Sequence, residues 1–420
     1  MTKFVVIGAS AAGTNAVRKL RELNPDAEIT MISKDTSIYS RCILYHHLKG
    51  ERNLEQLNFV GGNDFADRMN VQWIKGAKAS GVDTDRNLVL LEDGREIPYD
   101  KLCICTGSHP NFFPIPGLRE GKNITGFRDF EDVLFIEERL DKAQNIFVMG
   151  AGLVGIDVVA GLIKYGKNIT LADMAPYMLG IQLDEYSAGV YQRMFAEKGV
   201  KQYYNMGAKE FVLDGDGNCC KVILNDGTEI PTDLVINCAG VRATVEFLAD
   251  SKLECDRFGL IIDEHGQTNI GNVYGAGDVT GRGPIWPVAV KEGMIAAYNM
   301  SGISRTMDDF FTSKSTMNFL GLESMSLGQA NRYDDSYREE IYKDPKHNIY
   351  KKVVHKDGVI TGAILQGDLS YSGVLTQLIR RKIDVTRVKK PLFSIDYSDF
   401  FHMDEDYQFL YEKEEPPRES

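Results

Sequence analysis

Two glycine-rich runs carry the clearest chemistry in this chain, Gly8-Ala-Ser-Ala-Ala-Gly13 and Gly150-Ala-Gly152-Leu-Val-Gly155. Glycines at this spacing make a tight turn that opens directly into a helix. The free N–H groups and positive end of that helix suit a pyrophosphate. The first run joins an apolar strand at 3–8 to a helix reaching about Leu23. The second joins the strand Ile146-Phe-Val-Met149 to a helix reaching about Tyr165. A further short strand follows each helix, at Ile29–Ile32 and Ile169–Leu171. One such run alone is weak evidence. Two in the same strand–turn–helix–strand context predict two dinucleotides held by one chain.

An acidic residue at the end of the second strand commonly takes the adenosine ribose. In the second unit this is Asp173, and Met174-Ala-Pro-Tyr177 after it offers no Arg or Lys to a 2′-phosphate. NADH is therefore favoured over NADPH. The first unit departs from the pattern twice: Ser10 stands at the middle glycine, and Ser33 stands where the acid is expected. Asp35, two residues on, is the candidate substitute.

Seven cysteines, an odd number without metal-ligand spacing, argue against a disulfide framework and against a metal site. Cys103 and Cys105 share one face of one strand and read as core packing. Cys42 directly follows Arg41, whose charge would favour the reactive thiolate. It is either a redox group or a packed thiol.

These residues need a scaffold, and the chain shows a faint copy of its own. Leu91-Glu-Asp-Gly-Arg-Glu-Ile-Pro-Tyr-Asp100 leads to Cys105-Thr106-Gly107. Leu224-Asn-Asp-Gly-Thr-Glu-Ile-Pro-Thr-Asp233 leads to Cys238-Ala-Gly240. Each Asp-Gly suits a tight hairpin followed by a buried strand. The predicted fold class is α/β, with two Rossmann-like three-layer dinucleotide-binding domains and a small α+β C-terminal domain. The expected domains are 1–112 with 237–310, 113–236 and 311–400, followed by an acidic tail at 401–420. The net charge of −12 opposes a nucleic-acid partner. No apolar run approaches the ~20 residues of a membrane span. Phe4-Val-Val-Ile7 starts a strand at once, so a cytoplasmic protein without a signal peptide is expected.

Further motifs complete the picture. Tyr99-Asp-Lys-Leu-Cys-Ile-Cys-Thr-Gly-Ser108 with Pro110, and Asn272-Val-Tyr-Gly-Ala-Gly-Asp278, resemble the mid-chain and second flavin motifs of flavoprotein reductases with two dinucleotide-binding domains. Tyr39-Ser-Arg41, Trp286-Pro287 and Asn299-Met-Ser-Gly302 are similar to NADH:rubredoxin reductases and to the flavin half of NADH-dependent nitrite reductases. The resemblance covers residues 3 to about 380 and implies FAD on the first domain. Gly8, Ser10, Gly13, Asp35, Arg41, Thr106, Gly107, Gly277 and Asp278 would then form its site, with Asp278 on the ribityl hydroxyls. A plain capped loop is the other reading of Gly277-Asp278. A helix starting near Pro287 would point its positive end at the flavin. Gly150, Gly152, Gly155, Asp173 and Gly240 would hold NADH.

Relatives of this kind often place a lysine paired to a glutamate beside the flavin; the aligned positions here hold His46 and Asp157. They are expected either as a polar pair able to relay a proton or as unrelated surface residues. The resemblance also sets the alternatives for Cys42. Some oxidases and peroxidases use one cysteine in this segment, whereas electron-carrier reductases often have proline there.

Beyond Gly302, residues 348–355 and 359–366 predict a hairpin around Lys356-Asp-Gly358, followed by an amphipathic helix from about Tyr371 to Lys382. Arg380-Arg-Lys382, Arg387 and Lys389-Lys390 form a basic cluster on an acidic chain. The cluster is either a solvated helix end or a patch that steers an acidic electron carrier. The tail, with Asp404-Glu-Asp406, Glu412-Lys-Glu-Glu415 and Pro416-Pro417, is expected to fray or to dock on a partner subunit. The leading expectation is an NADH-dependent FAD enzyme that reduces a small iron–sulfur or rubredoxin-type carrier. An NADH oxidase, peroxidase or disulfide reductase using Cys42 is one alternative. A flavoprotein subunit of a larger iron–sulfur complex is another, and a homodimer is also open.

Overall fold

A computed structural model describes residues 1–307, 314–331, 334–386, 388–403, 405–407 and 409–411. The chain divides into two compact units, Met1–Met178 with Phe195–Thr312, and Leu179–Met194 with Ser313–Ser420.

The first unit contains two parallel five-stranded sheets. In one, the strand Lys3–Ile7 lies between Glu28–Ser33 and Lys101–Ile104. Gln72–Lys75 and Val273–Gly275 take the two edges. In the other, Asn145–Met149 lies between Asn168–Asp173 and Leu234–Asn237, with Lys201–Tyr204 and Ile124–Thr125 at the edges. The central strands are apolar runs because both of their faces are covered, as parallel sheets require. Phe4, Val6, Cys103 and Tyr274 pack on one face of the first sheet with the helix Ala11–Leu23. Val5, Ile7, Leu102 and Ile104 pack on the other face. Val273–Gly275 pairs in parallel with Lys101–Ile104, so the chain returns to its first sheet after building the second.

The duplicated hairpins form as expected. Leu88–Leu91 pairs with Glu96–Pro98, and Cys219–Leu224 pairs with Glu229–Pro231, each pair antiparallel. The helix Trp286–Met300 carries Pro287 in its first turn, where the missing N–H has no intrahelical partner to lose. Gly293 lets this helix reach the first one, since a Cβ there would lie 2.3 Å from the Ala12 carbonyl oxygen.

The second unit holds a five-stranded antiparallel sheet that includes the predicted hairpin, Ile349–Lys356 with Val359–Gln366. The helix Ser372–Arg380 follows, with Leu375, Leu378 and Ile379 buried. In the tail Phe401–Met403 pairs with Phe409–Tyr411. The acidic and proline residues predicted at 404 and 412–417, and Arg387 of the basic cluster, lie outside the described residues. Among those described, no helix is long and apolar enough to cross a membrane. Among the same described residues, no group of three or more His, Cys, Asp or Glu is placed to hold a metal.

Candidate functional site

The two glycine turns are built alike. Gly8 (φ 118°) and Gly150 (φ 107°) lie in the left-handed half of backbone space. A Cβ on either would fall 2.1 or 2.6 Å from the carbonyl oxygen of Cys105 or Cys238. Gly13 and Gly155 would drive a Cβ into the carbonyl oxygens of Gly8 and Gly150, at 1.9 and 1.8 Å. Only glycine therefore lets each helix start against its strand. Ser10 and Gly152 are the N-cap residues, and neither caps its helix with a side-chain hydrogen bond. The first-turn N–H groups are left for an anion. Space beside Gly152 is open, with no atom within 4 Å of the place a Cβ would take. These features fit a pyrophosphate at both turns.

Asp173 ends its strand as expected. Its Oδ2 accepts the Ala151 N–H at 2.5 Å and its Oδ1 accepts the Ala175 N–H at 2.7 Å. Asp35 is otherwise engaged: Oδ2 lies 2.6 Å from Arg41 Nη2, and Oδ1 accepts the Tyr39 hydroxyl at 3.1 Å.

The segments singled out for the flavin meet at Asp278. Its Oδ2 accepts the Ser108 hydroxyl at 2.9 Å and pairs with Arg128 Nη2 at 2.5 Å. Thr106 and Gly107 are tied to Thr244, through the Thr106 hydroxyl to its carbonyl and through the Gly107 carbonyl to its N–H. Gly107 and Gly240 both have positive φ, with open space beside them. The short strands Ser108–Pro110 and Val241–Ala243 pair and join the two halves of the unit.

Sequence reasoning missed Arg128, Asp129 and the first helical residue Phe130, which join these segments. Arg128 reaches Asp278, and Asp129 pairs with Arg41 at 3.0 Å and with Lys34 at 2.5 Å. The Phe130 N–H donates to the Tyr39 oxygen. Burial works to raise the Asp129 carboxyl, but the Arg41 and Lys34 charges prevail and hold it below the usual range. The readable signal was Asp129-x-x-Asp132, a capping box at the start of the helix Phe130–Leu140. Nothing in the sequence says that this helix start faces Asp278.

Glu292 was missed as well. It is buried, and its Oε2 accepts the Gly277 N–H at 2.7 Å beneath the Gly277-Asp278 turn. Desolvation pushes its carboxyl up to about 7, against the pull of the Gly277 N–H and Arg282.

Two expectations need correction. The partner of His46 is Glu51, Nδ1 to Oε2 at 2.5 Å, rather than Asp157. Asp157 is half-buried on the helix Leu153–Leu162. Desolvation raises its carboxyl well above the usual range, and the cation that opposes the rise is Lys49. Cys42 is exposed, but its thiol is raised rather than lowered. Desolvation by the surrounding protein is the leading cause, ahead of the lowering charge of Arg128. The Arg41 charge expected to favour a thiolate is already shared by Asp35 and Asp129. Cys103 and Cys105 are buried with Sγ atoms 3.4 Å apart, as a packed pair.

The chain belongs to the pyridine nucleotide-disulphide oxidoreductase family, whose model matches residues 2–293; that of the rubredoxin NAD+ reductase C-terminal domain matches 314–383. It is 27% identical to the nitrite reductase [NAD(P)H] of Bacillus subtilis, covering 92% of this chain and 48% of that one. The chain thus spans about half the length of that relative. It is 26% identical to subunit epsilon of the NADH-dependent phenylglyoxylate dehydrogenase of Aromatoleum evansii, covering 92% and 94%. The crystal structure of NADH:rubredoxin oxidoreductase from Clostridium acetobutylicum shares the fold, with a TM-score of 0.74 and 24% identity over 93% and 97% of the two chains.

Proposed function

We propose that this chain takes hydride from NADH onto FAD and delivers the electrons to a small iron–sulfur or rubredoxin-type carrier. FAD, when bound, accepts the pair together and releases it singly. In this reading residues 1–112 and 237–310 hold FAD, with its pyrophosphate at Gly8–Gly13 and its ribityl chain at Asp278. Residues 113–236 hold NADH, with its pyrophosphate at Gly150–Gly155 and its ribose at Asp173. Residues 311–400 form the interface domain. Thr106 and Gly107 shape the flavin wall, and Gly240 shapes the nicotinamide side. Pro287 starts the helix whose positive end faces the flavin, and Arg41 braces the wall through Asp35 and Asp129. Asp157 carries a carboxyl raised by desolvation on the helix Leu153–Leu162, and His46 is set by Glu51.

The observation that carries the choice of acceptor is the state of Cys42. An exposed thiol raised by desolvation, beside an arginine ion-paired to Asp35 and Asp129, is a poor nucleophile, which supports a route for the electrons that does not pass through sulfur. Cys42→Ser is expected to keep at least half of the NADH-dependent carrier-reductase activity. A loss of tenfold or more in steady-state rate would return the chain to the cysteine-using oxidases and peroxidases.

The match to a rubredoxin reductase C-terminal domain supports the carrier, and the basic cluster suits an acidic one. Arg381, Lys382 and Lys389 are exposed, whereas Lys390 is paired with Asp399 at 2.6 Å. Reversing Arg381 and Lys382 to Glu should raise the KM for an acidic carrier about tenfold at low salt, with the difference shrinking as salt rises. NADH-to-dye activity should be unchanged. Equal loss with both acceptors would refute docking at this patch.

The near full-length likeness to a dehydrogenase subunit supports a second reading, in which the chain is the NAD-docking flavoprotein of a larger iron–sulfur complex. Copurification of iron–sulfur chains from the source cell, under gentle lysis, decides between a free reductase and such a subunit.

A further inference from the structure

The two nucleotide turns can be compared position by position through their strand registers. Val6 and Ile7 pair with Met31 and Ile32, and the Gly8 N–H donates to the Ile32 carbonyl at 2.7 Å. Val148 and Met149 pair with Leu171 and Ala172, and the Gly150 N–H donates to the Ala172 carbonyl at 2.8 Å. Ser33 and Asp173 are the next residues on their strands, so they hold the same place beside their glycine turns.

Their chemistry differs. Asp173 presents a carboxylate that two backbone N–H groups hold in place, with lone pairs left on both oxygens. Ser33 is buried and has a single hydroxyl, which donates to the Asp35 carbonyl at 2.6 Å and accepts the Trp73 indole N–H at 2.9 Å. Its only proton is thus spent inside the chain and Trp73 takes one of its two lone pairs, which leaves a single neutral acceptor where Asp173 has a carboxylate. The nearby acids are already ion-paired to arginine and lysine. Asp35 turns its two oxygens to Tyr39 and Arg41, and Asp129 pairs with Arg41 and Lys34.

We propose that the first nucleotide site takes its adenosine ribose without a carboxylate, and that Ser33, locked by Trp73, offers the ribose 2′-hydroxyl no charge-assisted hydrogen bond. The inference rests on the reading of the first turn as the FAD site. FAD is then anchored by its pyrophosphate at Gly8–Gly13 and its ribityl chain at Asp278, and the adenosine end is the loose end. The second site, with Asp173, is the one that reads the ribose. A chain with this arrangement exchanges its flavin more readily than one with an acid at both positions.

The test compares FAD with its 2′-deoxyadenosine analogue on the flavin-stripped, full-length protein, using quenching of flavin fluorescence. The two dissociation constants should agree within about threefold, whereas a charge-assisted hydrogen bond to the 2′-hydroxyl would separate them by about tenfold or more. Ser33→Asp should tighten FAD about tenfold and leave the analogue nearly unchanged. A tenfold preference for FAD in the unmodified protein overturns the proposal. So does a folded Ser33→Asp protein that binds both flavins as the unmodified one does. If the folded, unmodified protein binds neither flavin, the assignment of the first site to FAD fails and takes the proposal with it. The two-flavin comparison needs no substitution, so it remains decisive even where Ser33→Asp misfolds.

Discussion

Asp278→Ala is expected to purify with less than about a tenth of the normal flavin and to bind added FAD about a hundredfold more weakly. In the native chain Asp278 is held by Ser108 and Arg128 through one oxygen, which under the proposed function leaves Oδ1 for the ribityl hydroxyls. The alanine removes those charge-assisted hydrogen bonds, each worth roughly 1.5–3 kcal/mol, and strands the half-buried Arg128 charge. Two such losses amount to about two orders of magnitude in affinity. Asp278→Asn keeps an acceptor and should fall between the two. Flavin absorbance per protein and a fluorescence titration measure the effect. An alanine variant with full flavin content would remove Asp278 from the FAD site.

The second large effect concerns Glu292 and pH. A carboxyl whose folded value is raised to about 7 stabilises the fold in its neutral form. That contribution is complete below the unfolded value near 4.3 and is lost as pH rises through about 7. Over that interval the loss is on the order of 3 kcal/mol for this residue, since each unit is worth about 1.4 kcal/mol. Glu292→Gln keeps an oxygen for the Gly277 N–H but cannot ionise. Its Tm should match the native protein at about pH 4 and exceed it by roughly 5 °C or more at about pH 8. Thermal unfolding of the flavin-free protein at the two pH values checks this. A variant with the same Tm offset at both pH values would show that the carboxyl does not titrate in this range. Asp157, also raised by desolvation, acts with the same sign.

Much of this architecture is written in local patterns. The glycine turns, the apolar parallel strands and the Asp-Gly hairpins each need only a few neighbouring residues to specify their form, and all appear where expected. The acid at Asp173 and the serine at Ser33 were legible for the same reason, because each ends a strand that a glycine turn locates. What the sequence hides is which side chains meet across long separations. Arg128 meets Asp278 across 150 positions, and Arg41 is claimed by Asp129 across 88. The effect of Arg41 on Cys42 was overestimated on that account, since the arginine looks free in the sequence and is ion-paired to two carboxylates in the fold. A His46–Asp157 pair was one of two readings because their positions align with a known pair. Glu51, five residues on and just past the same short helix, is the nearer claimant. Glu292 gave no signal, because a glutamate on a helix reads as surface until the helix is seen to pack beneath the Gly277 turn.

In the proposed function electrons pass from NADH through bound FAD to a protein carrier, without a redox thiol. The most direct measurement is an anaerobic NADH titration of the flavin-loaded protein, followed by rapid mixing with rubredoxin, ferredoxin, hydrogen peroxide, a disulfide or oxygen. Loss of the flavin band should be complete at about one NADH per FAD, without a thiolate–flavin charge-transfer band. The band should return at least ten times faster with an iron–sulfur carrier or rubredoxin than with the other acceptors. A charge-transfer band together with faster return on peroxide, disulfide or oxygen would contradict the account.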